Sequence, residues 1–104
     1  MSGPGATVGH GVVVEMIRLA ALEVPGVARV GRGGPPWRGL LAGRAITARV
    51  RDSRVEVRLW IVARPGHALE PLASQVRSAV AAAVERLLGL ELAGVTVLID
   101  GVGG

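Results

Sequence analysis

The chain contains no cysteine, phenylalanine, tyrosine or lysine. Without thiols it can form neither disulfides nor thiolate metal sites, and the redox compartment is left open. Without Phe or Tyr its core must come mainly from Val, Leu and Ala, each of which buries less area at about 25 cal/mol per Å² than an aromatic ring would. A chain of 104 residues makes one domain. Domains of this size bury roughly 60–70% of the unfolded surface, and a modest core of small side chains points to oligomerisation. No apolar run approaches the ~18 residues of a membrane span; even Ala79 to Val84 is closed off by Arg77 and Glu85. Residues 1–9 are rich in glycine, with neither a basic residue nor an apolar run. They are expected to form a disordered tail ahead of a single domain at 10–102, not a secretory signal, and a cytoplasmic location follows.

What the chain has is arginine. All 12 basic residues are arginine, set against 8 acids for a net charge of +4. Nucleotide bias of the source genome and selection for bidentate contacts both explain the preference over lysine. Distribution says more than the total: from Arg29 to Arg64 nine arginines meet only Asp52 and Glu56, a net of +7, while the rest of the chain sums to −3. The middle of the chain is its basic pole.

That pole contains a β-hairpin. Ile46, Ala48 and Val50 alternate with Thr47, Arg49 and Arg51; after Asp52-Ser53, Val55, Val57, Leu59 and Ile61 alternate with Arg54, Glu56, Arg58 and Trp60. With Asp52 and Ser53 as a two-residue turn, Val50 faces Val55, Ala48 faces Val57, Ile46 faces Leu59 and Arg49 faces Glu56. A slip of one residue would turn the apolar row to water, so the register is well specified.

Around the hairpin, Val13, Met16, Ile17, Ala20 and Ala21 recur at helical spacing and predict a first helix over Val12 to Leu22. Pro25-Gly26 ends it, and Val27 to Val30 makes a short strand. Gly31 to Gly43 holds five glycines and two prolines and must be a connection. Its Trp37, Leu40 and Leu41 are either tacked onto the domain or held out as a contact surface. Pro65-Gly66 turns into a second helix over Leu69 to Leu88, with Leu69, Leu72, Ala73, Val76, Val80, Ala83, Val84 and Leu87 on one stripe. Gly89 is its C-cap, and Val95 to Asp100 alternates as a last strand. The segments 18–27 and 86–95 agree at six of ten positions, each a helix end passing through Gly-Val into a strand. Two helix-to-strand units therefore flank the hairpin, with both helices on one face of the sheet.

No constellation names a reaction. Gly9-His10-Gly11 follows no strand, and Gly31-Arg32-Gly33-Gly34 runs into Pro35-Pro36, so neither is a phosphate loop. His10 and His67 are the only histidines, too few for a zinc site, and read as solvated loop residues. The serines lack a nucleophile elbow, and the carboxylates are dispersed singly. No catalytic residue, cofactor site or metal site is assigned. The candidate site is the outward face of the hairpin: Arg49, Arg51, Arg54, Arg58, Trp60 and Arg64, shared with Thr47, Glu56 and Val62. Arg51 opposite Arg54 is a like-charge pair that invites an anionic partner. The bland alternative is a solvated face with one salt bridge, Arg49 to Glu56. The functional ones are a subunit contact centred on Trp60, an acidic protein, anionic lipid or nucleic acid.

Ile17 to Val30 reading IRLAALEVPGVARV, Val55 to Ala63 reading VEVRLWIVA, and Val80 to Ile99 reading VAAAVERLLGLELAGVTVLI together resemble the bacterial alkaline-shock and general-stress family of envelope stress response proteins. Ala21 to Val27 matches that family's corner after the first helix, and Leu88 to Leu92 its second, with leucine in place of the family's threonine and its last valine. The chain departs from the pattern at Arg64-Pro65-Gly66, where the family has an acid and a tyrosine, and at Ala68, where it has a small polar residue. The resemblance implies a non-enzymatic cytoplasmic α+β domain tied to envelope stress and cell-wall homeostasis. It also implies a homo-oligomer, held at the membrane in some members by a separate anchor protein. No catalytic residue is carried over.

The fold expected is a two-layer α+β domain of order α-β-β-β-α-β, two helices on one face of a small mixed sheet whose first strand is short. The last strand should run parallel to the second hairpin strand through a right-handed crossover, with the first hairpin strand between them. The expected function is that of an oligomerising, partner-binding scaffold; the alternative is a small nucleic-acid-binding module using the arginine-rich hairpin face.

Overall fold

A computed structural model describes residues 9–32 and 44–103 of the chain. The elements in order are helix α1 (His10–Leu22), strands β1 (Val27–Val30), β2 (Ile46–Arg51) and β3 (Arg54–Ala63), helix α2 (Leu69–Ala82) running into a π turn (Ala83–Leu87), and strand β4 (Glu91–Val102). This is the expected α+β order. The expected tail falls almost wholly outside the described residues, as do Trp37, Leu40 and Leu41.

The hairpin forms in the register read from its alternation, with Val50 opposite Val55, Ala48 opposite Val57, Ile46 opposite Leu59 and Arg49 opposite Glu56. Asp52 and Ser53 both take positive φ, 51° and 64°. That is the backbone a two-residue turn of the primed type demands, and neither residue is glycine.

β3 is the hub of the sheet. Along one side it pairs antiparallel first with β2 and then with β1, and along the other it pairs parallel with β4. Trp60 marks the changeover: its N–H donates to Ala45 O and its carbonyl accepts from Gly31 N, both at 2.8 Å. The expectation that the first hairpin strand separates β3 from β4 is therefore corrected. The reason lies in β3 itself, whose far end, Ile61-Val62-Ala63, is buried without alternation. A strand apolar on both faces belongs in the middle of a sheet, and six-residue β2 is too short to shield it. β4 also runs longer than Val95 to Asp100, because Glu91 and Leu92 already pair with Arg54 and Val55.

Both helices lie on the face that carries Val55, Val57, Leu59 and Ile61. From α1 come Val13, Ile17 and Ala21, from α2 Leu72, Val76 and Val80, and from the π turn Val84, in one cluster with no buried polar or charged residue among those described. α1 packs over β1 and β2, and α2 over β4. The expected stripe on the second helix is corrected at its ends, where Leu69 is 43% and Leu87 66% exposed. The π turn explains Leu87: one extra residue in the turn rotates it outward and brings Leu88 and Leu90 into the core instead. Gly89, at φ +66°, then ends the helix as expected.

One glycine is demanded by contact. A Cβ on Gly26 would meet Leu72 Cδ1 at 2.7 Å and His67 Nδ1 at 2.9 Å. The corner after α1 is wedged against the start of α2, while Gly26 O accepts from Arg64 N at 2.8 Å. α2 begins after Ala68, which offers no side-chain cap; Glu70 in its first turn supplies the negative charge that a helix N-terminus favours.

Candidate functional site

The face of the sheet opposite the helices is built from the residues between the core positions. Across the strands it reads Arg51, Arg54 and Glu91 at the hairpin end, then Arg49, Glu56 and Gly94, then Thr47, Arg58 and Thr96, then Trp60 beside Leu98. The alternation that buries Val55, Val57 and Leu59 also lines up the arginines on the outside.

The structure brings together Arg49, Arg51, Arg54 and Arg58, all exposed. Two adjoining grooves run between them. One, of about 560 Å³, lies at the hairpin end against Arg49, Arg51, Asp52, Arg54 and Glu56. The other, of about 410 Å³, lies against Thr47, Arg49, Glu56, Arg58 and Thr96. Arg51 and Arg54 are cross-strand partners, as expected. Arg49 and Glu56 also face one another, but their expected salt bridge is not among the ion pairs of the described residues. Arg54 instead reaches Glu91 on β4, Nε to Oε1 at 3.7 Å, with both side chains well exposed. A pair that open to solvent contributes little to stability.

Trp60 stands apart from these four. The Arg32 guanidinium lies over its ring, 3.9 Å from the centroid, and Arg32 Nε donates to Asp100 Oδ2 at 2.8 Å. Both charged side chains are only 19% exposed. The pair is therefore partly desolvated and fixes the end of β1 to β4 across the middle strand. Arg64 is exposed beyond the end of β3, ten positions from Arg54, about 33 Å along an extended strand, so it does not join the cluster. Val62, expected on this face among exposed groups, is buried at 5%; Arg29 is its β1 partner and Gly103 lies beside it.

Sequence reasoning missed Arg32, Asp100 and Glu91. The parity of the last strand already puts Asp100 on the open side, but only the pairing of β4 with β3 brings it near Trp60. The same pairing tempers the basic pole, since Glu91 and Asp100 return negative charge to arginines 37 and 68 residues away. His10 is also not a loop residue: it opens α1, and its Nε2–H donates to Ala48 O on β2 at 3.0 Å.

The family profile for the alkaline shock protein 23 family, described as having a cell envelope-related function, matches residues 5–103. No curated protein matches the chain. Among solved structures, a copper form of a MamM CTD variant is 22% identical, with a TM-score of 0.58 over 89% of this chain and 98% of that one. A zinc form of another MamM CTD variant is 23% identical, with a TM-score of 0.57 over 88% of this chain and 84% of that one. At that identity the likeness is one of fold.

Proposed function

The chain belongs to the alkaline shock protein 23 family, which has a cell envelope-related function, and on that footing we propose that it is a non-enzymatic scaffold of the envelope stress response and cell-wall homeostasis. It oligomerises and takes up an acidic protein partner on its open sheet face. The observation that carries this reading is the set of four exposed arginines, Arg49, Arg51, Arg54 and Arg58, around two adjoining grooves. Guanidinium groups bind carboxylates bidentately, and a rigid sheet holds them at fixed spacing. Asp52, Glu56 and Glu91 lie among them, so the surface selects a partner with a matching pattern of charge over a uniform polyanion. A membrane-anchored protein supplying an acidic segment on the cytoplasmic side fits this role. No helix among the described residues is long and apolar enough to cross a membrane.

Two other readings draw less support. Single-stranded nucleic acid needs free aromatic faces for its bases, and Arg32 already covers a face of Trp60. The copper and zinc forms of the MamM CTD prompt no metal site here, since no group of three or more His, Asp or Glu side chains among the described residues could hold an ion.

The test compares the wild type with an Arg51→Glu, Arg54→Glu, Arg58→Glu triple variant. A fluorescent oligoglutamate peptide should bind the wild type, more weakly as salt rises, and bind the triple at least tenfold more weakly. A triple that still assembles and retains the peptide and the same cellular partners would overturn the reading, as would preferential, salt-dependent retention of RNA or DNA on a filter.

A further inference from the structure

The two outer edges of the sheet are managed very differently. β2 is six residues long, carries Arg49 and Arg51, and has one of its backbone carbonyls covered by His10. β4 is twelve residues long, and from Leu92 to Ile99 it holds neither a charge nor a proline. A long, uncharged edge that no described residue covers is the arrangement soluble domains ordinarily avoid, because its unpaired N–H and carbonyl groups are a template for another strand.

Next to that edge the helical layer is incomplete. Val55, Val57, Leu59 and Ile61 on β3 are at most 1% exposed, whereas Leu92, Val95, Val97 and Ile99 on β4, facing the same side, stay only partly buried. Leu87, turned outward by the π turn that packs beside β4, and Val102 at the strand's end are 66% and 55% exposed. An apolar strip therefore runs along β4 on the helix side.

We propose that β4 is the surface through which two copies of this chain assemble, pairing antiparallel about a two-fold axis at Thr96 or Val97 to make one continuous eight-stranded sheet. Opposed residues of an antiparallel pair point to the same side, so the axis must fall on a residue for the odd-numbered apolar positions to meet their own kind. An axis at Val97 sets Val95 against Ile99 of the second copy; an axis at Thr96 sets Val95 against Val97. Either way the two half-covered strips close on each other under a joined helical layer, and the two arginine faces lie on the same side.

Charge fits a second copy as well. The carboxylates that bound the uncharged stretch, Glu91 and Asp100, each already have an arginine, Arg54 and Arg32. Bringing the two ends together therefore sets ion pairs beside ion pairs, without bare like charges. The inference rests on the proposed function only for its oligomerising half, and it assigns assembly to the edge so that the open face stays free for the partner.

The absence of cysteine makes the test direct. Thr96→Cys, Val97→Cys and Thr47→Cys each introduce the only thiol in the chain. In the full chain under diamide, one of the two β4 variants should give a covalent dimer on a non-reducing gel, and Thr47→Cys, on β2 and the open face, should not. Val97→Lys should shift the wild-type dimer to monomer in sedimentation while the far-UV spectrum is unchanged. Wild type that sediments as monomer at 
about 100 µM, far above the dissociation constants of stable homodimers, would overturn the proposal. So would cross-linking through Cys at 47 with none through β4, because the copies would then meet across the open face. Peptide binding by the open face is read separately, so failure of the edge leaves that reading standing, and the reverse holds too.

Discussion

Neighbouring residues of β3 meet opposite fates. Val55, Val57, Leu59 and Ile61 are sealed under two helices at 0–1% exposure, while Arg54, Glu56 and Arg58 between them lie open to water. On the covered side the packing is apolar apart from the His10 Nε2–H that donates to Ala48 O, and shape decides what fits. On the open side no helix packs among the described residues, and a close polar association, Arg32 with Trp60 and Asp100, joins strand to strand. One strand thus carries both the reason for folding and a surface that folding does not use. A surface that contributes little to stability is available for recognition.

The contrast can be tested from either side. Leu59→Ala should do the most damage: it empties a fully buried site, and such truncations cost about 2–5 kcal/mol, read as a lower urea midpoint at unchanged slope. Trp60→Ala, one residue along and on the other face, should cost about 1–2 kcal/mol by removing the ring on which Arg32 rests. It should also leave Arg32 more mobile, seen in the exchange of its Nε proton. A cost as large as that of Leu59→Ala would mean that the open side is structural after all. Ser53→Gly should stabilise by about 0.5–1 kcal/mol, because glycine meets the positive φ at that turn position without the penalty serine bears. The smallest effect on stability should come from the Arg51, Arg54, Arg58 triple reversal, within about 0.5 kcal/mol of wild type, as for surface changes away from special features.

Much of the fold was legible because its signals are local. Alternation set the hairpin register pair by pair, and Pro25-Gly26 and Gly89 marked where helices stop. What escaped depends on partners distant in the chain. Nothing in Glu91 or Asp100 announces Arg54 or Arg32; those pairs exist only once β4 lies beside β3, and the choice of neighbour is made by the buried run Ile61-Val62-Ala63. The outward turn of Leu87 was equally hidden, since a 3.6-residue period carries it onto the apolar stripe and only the π turn takes it off. Within the site, parity alone placed Arg49, Arg51, Arg54 and Arg58 on one face. It could not show that Arg64 stands too far along the strand to join them, nor that Trp60 is already held by Arg32.

On the proposed function, the open face takes the acidic partner while the core sealed beneath the two helices only folds. The most direct measurement is an NMR titration of the isotope-labelled chain with an oligoglutamate peptide, following every backbone amide. Shifts confined to Thr47–Arg58 and the facing stretch of β4, with α1 and α2 silent, are the predicted result. Shifts gathered on the outer surfaces of the helices, with the hairpin unmoved, would contradict it.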